Sequence, residues 1–415
     1  MTGTVRISHQ IVEVLMSQSA YDFTTSNTLS ITNTIDQLVA PITNIIKPLI
    51  SESSAIKSLP SGDIINHGDF PVWSTLAWTQ MRQAFAARVD ANAACFTQIA
   101  TTFGNVGADS GRWFGGVLAP NGCIYGMPYN STTILKIDPT TDTATTFGSL
   151  SGNKWAGGVL EPNGYIYGIP CGVGGEILKI DPTTDTYTTF GSVGGDSAWF
   201  GGILAPNGYI YGIPYGSTAV LKIDPTTDTY TTFGNLAGAY KWIGGVLAPN
   251  GMIYGMPFQI ATVLKIDPTT DTATTFGSIS GSQRCMGGVL APNGMIYGIP
   301  FDGTAVVKIN PTTDTATTFG SVSGSLKWRG GVLAPNGMIY GIPYGSATIL
   351  KIDPATDTVT TFGSVGGGYK WSGGILAPNG CVYSIPYTIS TICKIGTDTD
   401  DVSINFCLSQ FFNKF

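Results

Sequence analysis

The sequence predicts an all-β fold, a seven-bladed β-propeller of four-stranded antiparallel blades, and three observations predict it. A Lys-Ile pair recurs at Lys136, Lys179, Lys222, Lys265, Lys308, Lys351 and Lys394, each 43 residues after the last. Within every period, four short runs rich in Val, Ile, Thr and Tyr are separated by the turn words "PNG" and "PTTD". The 415 residues include 55 glycines but only 11% charged residues, the composition of a turn-rich β protein. A period of roughly 40–50 residues is the length of one four-stranded blade.

Residues 1–95 differ in style from the rest. "VRISHQIVEVLM" and "SNTLSITNTID" alternate apolar and polar residues at period two, the pattern of strands. Pro41 and Pro48 interrupt any helix between Asp36 and Leu49. From Ser74 to Ala94, a Ser cap and a stripe through Leu76, Met81, Phe85 and Val89 predict a helix. This region is expected to anchor or oligomerise the chain. It has no basic segment followed by an uninterrupted apolar run, so neither a signal peptide nor membrane insertion is expected.

The ring is expected over residues 96–396. "FTQIATTFG", Phe96 to Gly104, has the form of an outer strand yet precedes every other repeat element, while the last blade lacks an outer strand of that type. The N-terminal strand is therefore expected to complete blade seven and remove the open sheet edges. In each period "NG" supplies positive φ for a tight hairpin. In "DPTTD" the proline fixes φ, and the Asp can accept from amides two residues on. Paired glycines such as Gly115 and Gly116 suit inner strands crowded around an axis. Such units cannot bury both faces alone, so they stack side by side. The tail 397–415, with "VSINFCLSQFFNKF", is too apolar to float free and is expected to pack on the ring or on a partner.

The arrangement resembles the WD-repeat and kelch propellers in its logic, although the WD dipeptide and the kelch Trp spacing are absent. The "NG-x-I-Y … IDP-x-TD" pattern resembles the wider class of short-loop bacterial and viral propellers. These resemblances imply the fold and leave function open. The alternating N-terminal segments resemble strand motifs of tailed-phage virion proteins. That resemblance implies a virion protein, assembled in the host cytoplasm and joined to other virion proteins, or to copies of itself, through residues 1–95.

Several chemistries fit the sequence poorly. The net charge is -6 and no basic stretch occurs, which argues against nucleic acid. The seven cysteines show no C-x-x-C spacing, so reduced, mostly buried thiols are expected and no metal site is. The only histidines, His9 and His67, precede the ring, which leaves it no Ser-His-Asp arrangement. Glutamate is limited to Glu13, Glu52, Glu161 and Glu176. Pairs such as Asp138 and Asp142 are accounted for by turn capping. No enzyme activity and no cofactor are expected. Asp109, Asp196 and Asp302 in variable loops leave a glycan hydrolase as a third reading.

Comparing the seven copies locates a candidate face. The words "PNG" and "PTTD" hardly vary, whereas the loops between "TTFG" and "GG" and those after "IPY" diverge. In an antiparallel blade these two loop types share one end, and loops on a rigid scaffold carry recognition. Trp113, Trp155, Trp199, Trp242, Trp328 and Trp371 stand two residues before "GG", with Cys285 in the fifth slot. Arg112, Lys154, Lys241, Arg284, Lys327 and Lys370 precede most of these positions. Tyr129, Tyr215, Phe258, Phe301, Tyr344 and Tyr387 follow the "IP" or "MP" words, with Cys171 in the remaining slot. A repeated Trp suits packing between blades; a flat indole beside a donor also suits the apolar face and hydroxyls of a sugar. The expected function is attachment of a virion to a host-surface glycan or receptor through this face. The alternative is a capsid or tail decoration protein that binds no ligand.

Overall fold

The turn words dictate the architecture. The computed structural model describes residues 65–67, 70–73 and 100–397, apart from 108–110, 151–153, 173, 194, 196 and 282–283. The strands expected within residues 5–36, the helix expected over 74–94 and most of the apolar tail lie outside the described residues. A short hairpin, β1 (Ile65–His67) with β2 (Phe70–Trp73), was not anticipated. After β3 (Ala100–Phe103), the first blade comprises β4 (Trp113–Leu118), β5 (Ile124–Pro128), β6 (Ile134–Asp138) and β7 (Thr143–Phe147). Its strands lie in that order from the axis outward, and five further blades repeat the plan.

The seventh blade is completed as expected. Trp371–Leu376, Val382–Pro386 and Ile392–Ile395 supply its three inner strands, and β3 is the fourth. Thr101 pairs with Lys394, and Phe103 with Ile392, in an antiparallel register. Seven blades of four antiparallel strands thus form a closed propeller ring.

The paired glycines do two separate jobs. The ladder between first and second strands is interrupted after each Trp position, for example between Trp242 and Gly245. Gly244 takes up the extra residue of this bulge at φ 72°, a left-handed conformation that glycine adopts without steric cost. Gly245 sits where a Cβ would come within 2.7 Å of Ile213 Cδ1 on the preceding blade. The bare backbone lets adjacent inner strands approach.

The core lies in the seams between blades. At the seam of blades three and four, Ile203, Tyr211 and Ile213 pack against Trp242, Ile253 and Leu264, all buried. Equivalent clusters occupy the other six seams. On the side of the constant turns each seam is clasped by a polar network. Lys265 Nζ lies 2.6 Å from Asp314 Oδ2 on the next blade. The Tyr254 hydroxyl donates to Asp314 Oδ1 at 3.0 Å and accepts from Asn250 Nδ2 at 2.9 Å. Asn250 Nδ2 also donates to the Pro311 carbonyl, at 2.8 Å. The second Asp of "DPTTD" is therefore an inter-blade acceptor, while the first caps its own turn, as Asp267 does for the Thr269 amide. The ring-closing seam uses the same parts, with Lys394 and Tyr383 on Asp142 at 2.7 Å each. Between blades six and seven, the Thr397 carbonyl takes the proline carbonyl's place and accepts from the Tyr340 hydroxyl at 3.2 Å.

Two outcomes test this account. A chain beginning at Asn105 lacks β3 and leaves Ile392–Ile395 as an open edge, so it should melt lower and aggregate more than a chain beginning at Ala91. Equal melting curves for the two would refute closure by β3. At a clasp, Asp314 has φ 51°. Asp314→Asn keeps a residue that tolerates left-handed backbone, so Asp314→Ala should be less stable by about 1 kcal/mol more, measured by urea unfolding.

Candidate functional site

Both variable loop types emerge on one face. The amide of Leu150, in the loop leaving β7, donates to the Thr132 carbonyl in the loop joining β5 to β6, at 2.7 Å. The expectation of one decorated and one uniform face describes the ring.

The tryptophans do not lie on that face. Trp113, Trp155, Trp199, Trp242, Trp328 and Trp371 are 0–3% exposed, so of the two readings packing between blades holds and the sugar platform does not. Trp155 packs on Val117, Tyr125 and Met127 of the preceding blade. Each indole Nε1 donates to a carbonyl in its own blade's second loop: Trp155 to Glu176 and Trp242 to Thr262, both at 2.8 Å. Trp113, Trp199, Trp328 and Trp371 do the same with Thr133, Ala219, Thr348 and Thr391. The indoles seal seams.

The basic rim is corrected likewise. Arg112, Lys241, Lys327 and Lys370 are buried, as is Arg284. Lys241 Nζ donates to the carbonyls of Gly238 and Ser217 at 2.7 and 2.8 Å. Lys327 reaches Gly324 and Gly303, and Lys370 reaches Gly368 and Ser346. Arg112 Nη2 donates to the Ile389 carbonyl at 2.8 Å, and its Nη1 donates to that of Val106. These cations tie two loops together by filling carbonyls that would otherwise be orphaned. Burial pulls the Lys370 ammonium down to about 8 and lowers Lys241 and Lys327 too. Lys154 is half-buried, with Nζ 5.4 Å from the Tyr129 ring centre.

The residues after the "IP" words do converge. Tyr129, Phe200, Tyr215, Phe258, Phe301, Tyr344 and Tyr387 form a closed circuit, with neighbouring ring centres 4.6–6.2 Å apart. Phe200 stands in for the blade whose slot holds Cys171. These residues, with Phe114, Ile243 and Met286, belong to one cluster drawing on the blades around the axis. Two further tyrosines extend the circuit outward. Tyr369, 51% exposed, stacks on Tyr344 at 4.9 Å and 16°. Tyr240, 47% exposed, lies 5.1 Å from Tyr215. Burial raises the pKa of Tyr129, Tyr215 and Tyr344, that of Tyr215 to about 12, so these phenols stay neutral at physiological pH.

Sequence reasoning missed the residue between each Trp and "GG". Phe114, Ala156, Phe200, Ile243, Met286, Arg329 and Ser372 occupy this slot, on the innermost strands. The available signal was a position that changes freely between two constant ones. Among the described residues no cluster of three or more His, Cys, Asp or Glu offers a metal site. The cysteine expectation needs one correction. Cys123, Cys171, Cys285 and Cys393 are free thiols, but Cys381 is disulfide-bonded.

The fold and the axial site define a seven-bladed propeller with an aromatic mouth on its variable face. A family model described as "Repeat of unknown function (DUF6923)" matches residues 245–401. No curated protein matches the chain. Among solved structures, a streptogramin B lyase is 15% identical with a TM-score of 0.61, over 71% of this chain and 96% of its own. A catalytically inactive virginiamycin B lyase from Staphylococcus aureus, with Quinupristin, is 12% identical with a TM-score of 0.62, over 72% and 99%. The extracellular domain of a putative one component system from B. thetaiotaomicron is 12% identical with a TM-score of 0.55, over 71% and 42%. At these identities the likeness concerns the fold.

The indole placement predicts a large loss on truncation. Trp242→Ala should destabilise the ring by about 3–5 kcal/mol, the cost of emptying a large buried aromatic site. Thermal or urea unfolding checks this. A change within about 0.5 kcal/mol, typical of a surface position, would contradict the burial.

Proposed function

We propose that the protein is a recognition propeller without catalysis of its own, and that its ligand docks on the axial mouth of the decorated face. One observation carries the reading: the closed aromatic circuit, extended to solvent by Tyr240 and Tyr369. Aromatic faces that also carry hydroxyls suit the apolar C–H face of a sugar and its polar edge. The surrounding loops differ from blade to blade on a constant scaffold, the arrangement in which loops carry specificity. The ligand class proposed is a glycan. The setting proposed is a virion protein attaching to a host-surface glycan, with residues 1–95 joining it to other virion proteins. The motif style of the N-terminal segments supports that setting. The six Trp and their basic neighbours act as the frame that holds the mouth in shape.

A glycan array probed with the full chain tests this. A retained glycan should lose at least tenfold in affinity when Tyr240 and Tyr369 are both replaced by Ala, because anchoring aromatics carry much of a binding energy. The melting temperature should barely move, since both side chains are exposed. An array with no retained glycan, or binding indifferent to the double substitution, would sink the reading.

A further inference from the structure

The slot between Trp and "GG" holds apolar residues in five blades, but Arg329 in the sixth and Ser372 in the seventh. Arg329 is only 8% exposed. Its guanidinium carbon lies 3.8 Å from the Tyr344 ring centre and 4.7 Å from that of Tyr387. Phe114 and Phe301 flank it at 5.4 and 5.6 Å. Its Nε and Nη1 are buried and find no acceptor among the described residues, while the guanidinium also contacts the Tyr344 hydroxyl. The Ser372 hydroxyl, at the equivalent position of the adjacent blade, is also buried and unpartnered.

This contrasts with the other buried cations. Lys241, Lys327 and Lys370 end on backbone carbonyls. Asp302, a nearby loop acid, instead accepts the Leu326 amide at 2.5 Å. Aromatic faces offset part of the lost hydration of a guanidinium, but they leave the Nε and Nη1 donors without an acceptor. Buried donors without acceptors are costly, and in native proteins they call for an explanation such as a ligand.

We infer that Arg329 and Ser372 form an anion site at the axial mouth, and that its ligand is a sugar carrying a carboxylate, such as a uronic acid. The sugar part rests on the recognition reading above; the carboxylate part rests on Arg329. The planar guanidinium fork matches a carboxylate in two parallel hydrogen bonds. One guanidinium balances the single charge of a carboxylate, and the Ser372 hydroxyl supplies a neutral donor. The half-buried Lys154, beside Tyr129, adds positive potential at the rim. A carboxylate on a ring also gives the aromatic circuit an apolar face to hold. The donors of Arg329 are covered by rings, so rotation of Tyr344 or Tyr387, with Tyr369 moving off its stack, admits the acid.

Calorimetric titration of the full chain with glucuronate, glucose and benzoate tests the inference. Glucuronate should bind at least tenfold more tightly than glucose, a comparison that needs no variant. Arg329→Met should abolish that preference, and Arg329→Lys, which keeps the charge without the fork, should restore only part of it. Arg329→Met should melt no lower than the parent, because Arg329 has no acid partner among the described residues, and replacing such a buried charge with an apolar chain of similar length removes a cost. Equal affinity for glucuronate and glucose, or glucuronate bound unchanged by Arg329→Met, overturns the carboxylate. If array glycans still bind Arg329→Met as they bind the parent, the recognition reading stands and the carboxylate alone falls. Benzoate bound in place of glucuronate overturns the sugar acid and the glycan reading together.

Discussion

Every blade depends on closing the seam to its neighbour, because a four-stranded sheet cannot bury its own faces. The seam is met in two ways at two depths. An indole (Cys285 at one seam) and a set of Ile, Val and Leu side chains fill its interior, and at six seams a Lys-Tyr-Asn set on one blade grips a left-handed Asp on the next. Each ion pair is partly exposed and worth little alone. Joined to a tyrosine hydroxyl and an asparagine amide, and repeated around the ring, the clasp sets blade spacing. That explains why "PNG" and "PTTD" tolerate so little change within this chain: both words are halves of the same joint.

The opposite ends of the same strands carry no such joint. Buried Lys and Arg side chains there hold loop carbonyls, and a single long cation can serve loops of different sequence because carbonyls are common to all. Framework rigidity is thereby separated from loop identity. The aromatic circuit inherits its geometry from the inner strands and its individuality from the loops.

Much of this was legible beforehand. The 43-residue period, the four runs per period and the displaced "TTFG" gave blade number, strand order and closure by the N-terminal strand. Grouping the variable loops on one face followed from antiparallel topology. The aspect of the Trp residues was not legible, because the bulge at the first glycine of each pair shifts the strand's alternation, and period-two counting does not register a bulge. The same shift hid Arg329: its slot lies beside the bulge and points to the axis. The aromatics after "IP" were identified as a set, but their meeting in one circuit depends on the curvature of the whole ring. A disulfide at Cys381 had no spacing signal to announce it.

The closing strand also fixes how the ring is mounted. Ala100, the first residue of β3, pairs with Ile395, near the end of the last inner strand. Ile395 occupies the place held by Ile137 in the first blade, next to the Asp138 turn on the uniform side. The chain therefore enters and leaves the ring at one point of its rim, on the side away from the loops. Both ends of the ring segment thus lie on the side opposite the aromatic mouth, so the closure that completes the last blade also leaves the mouth's face clear of the chain's entry and exit.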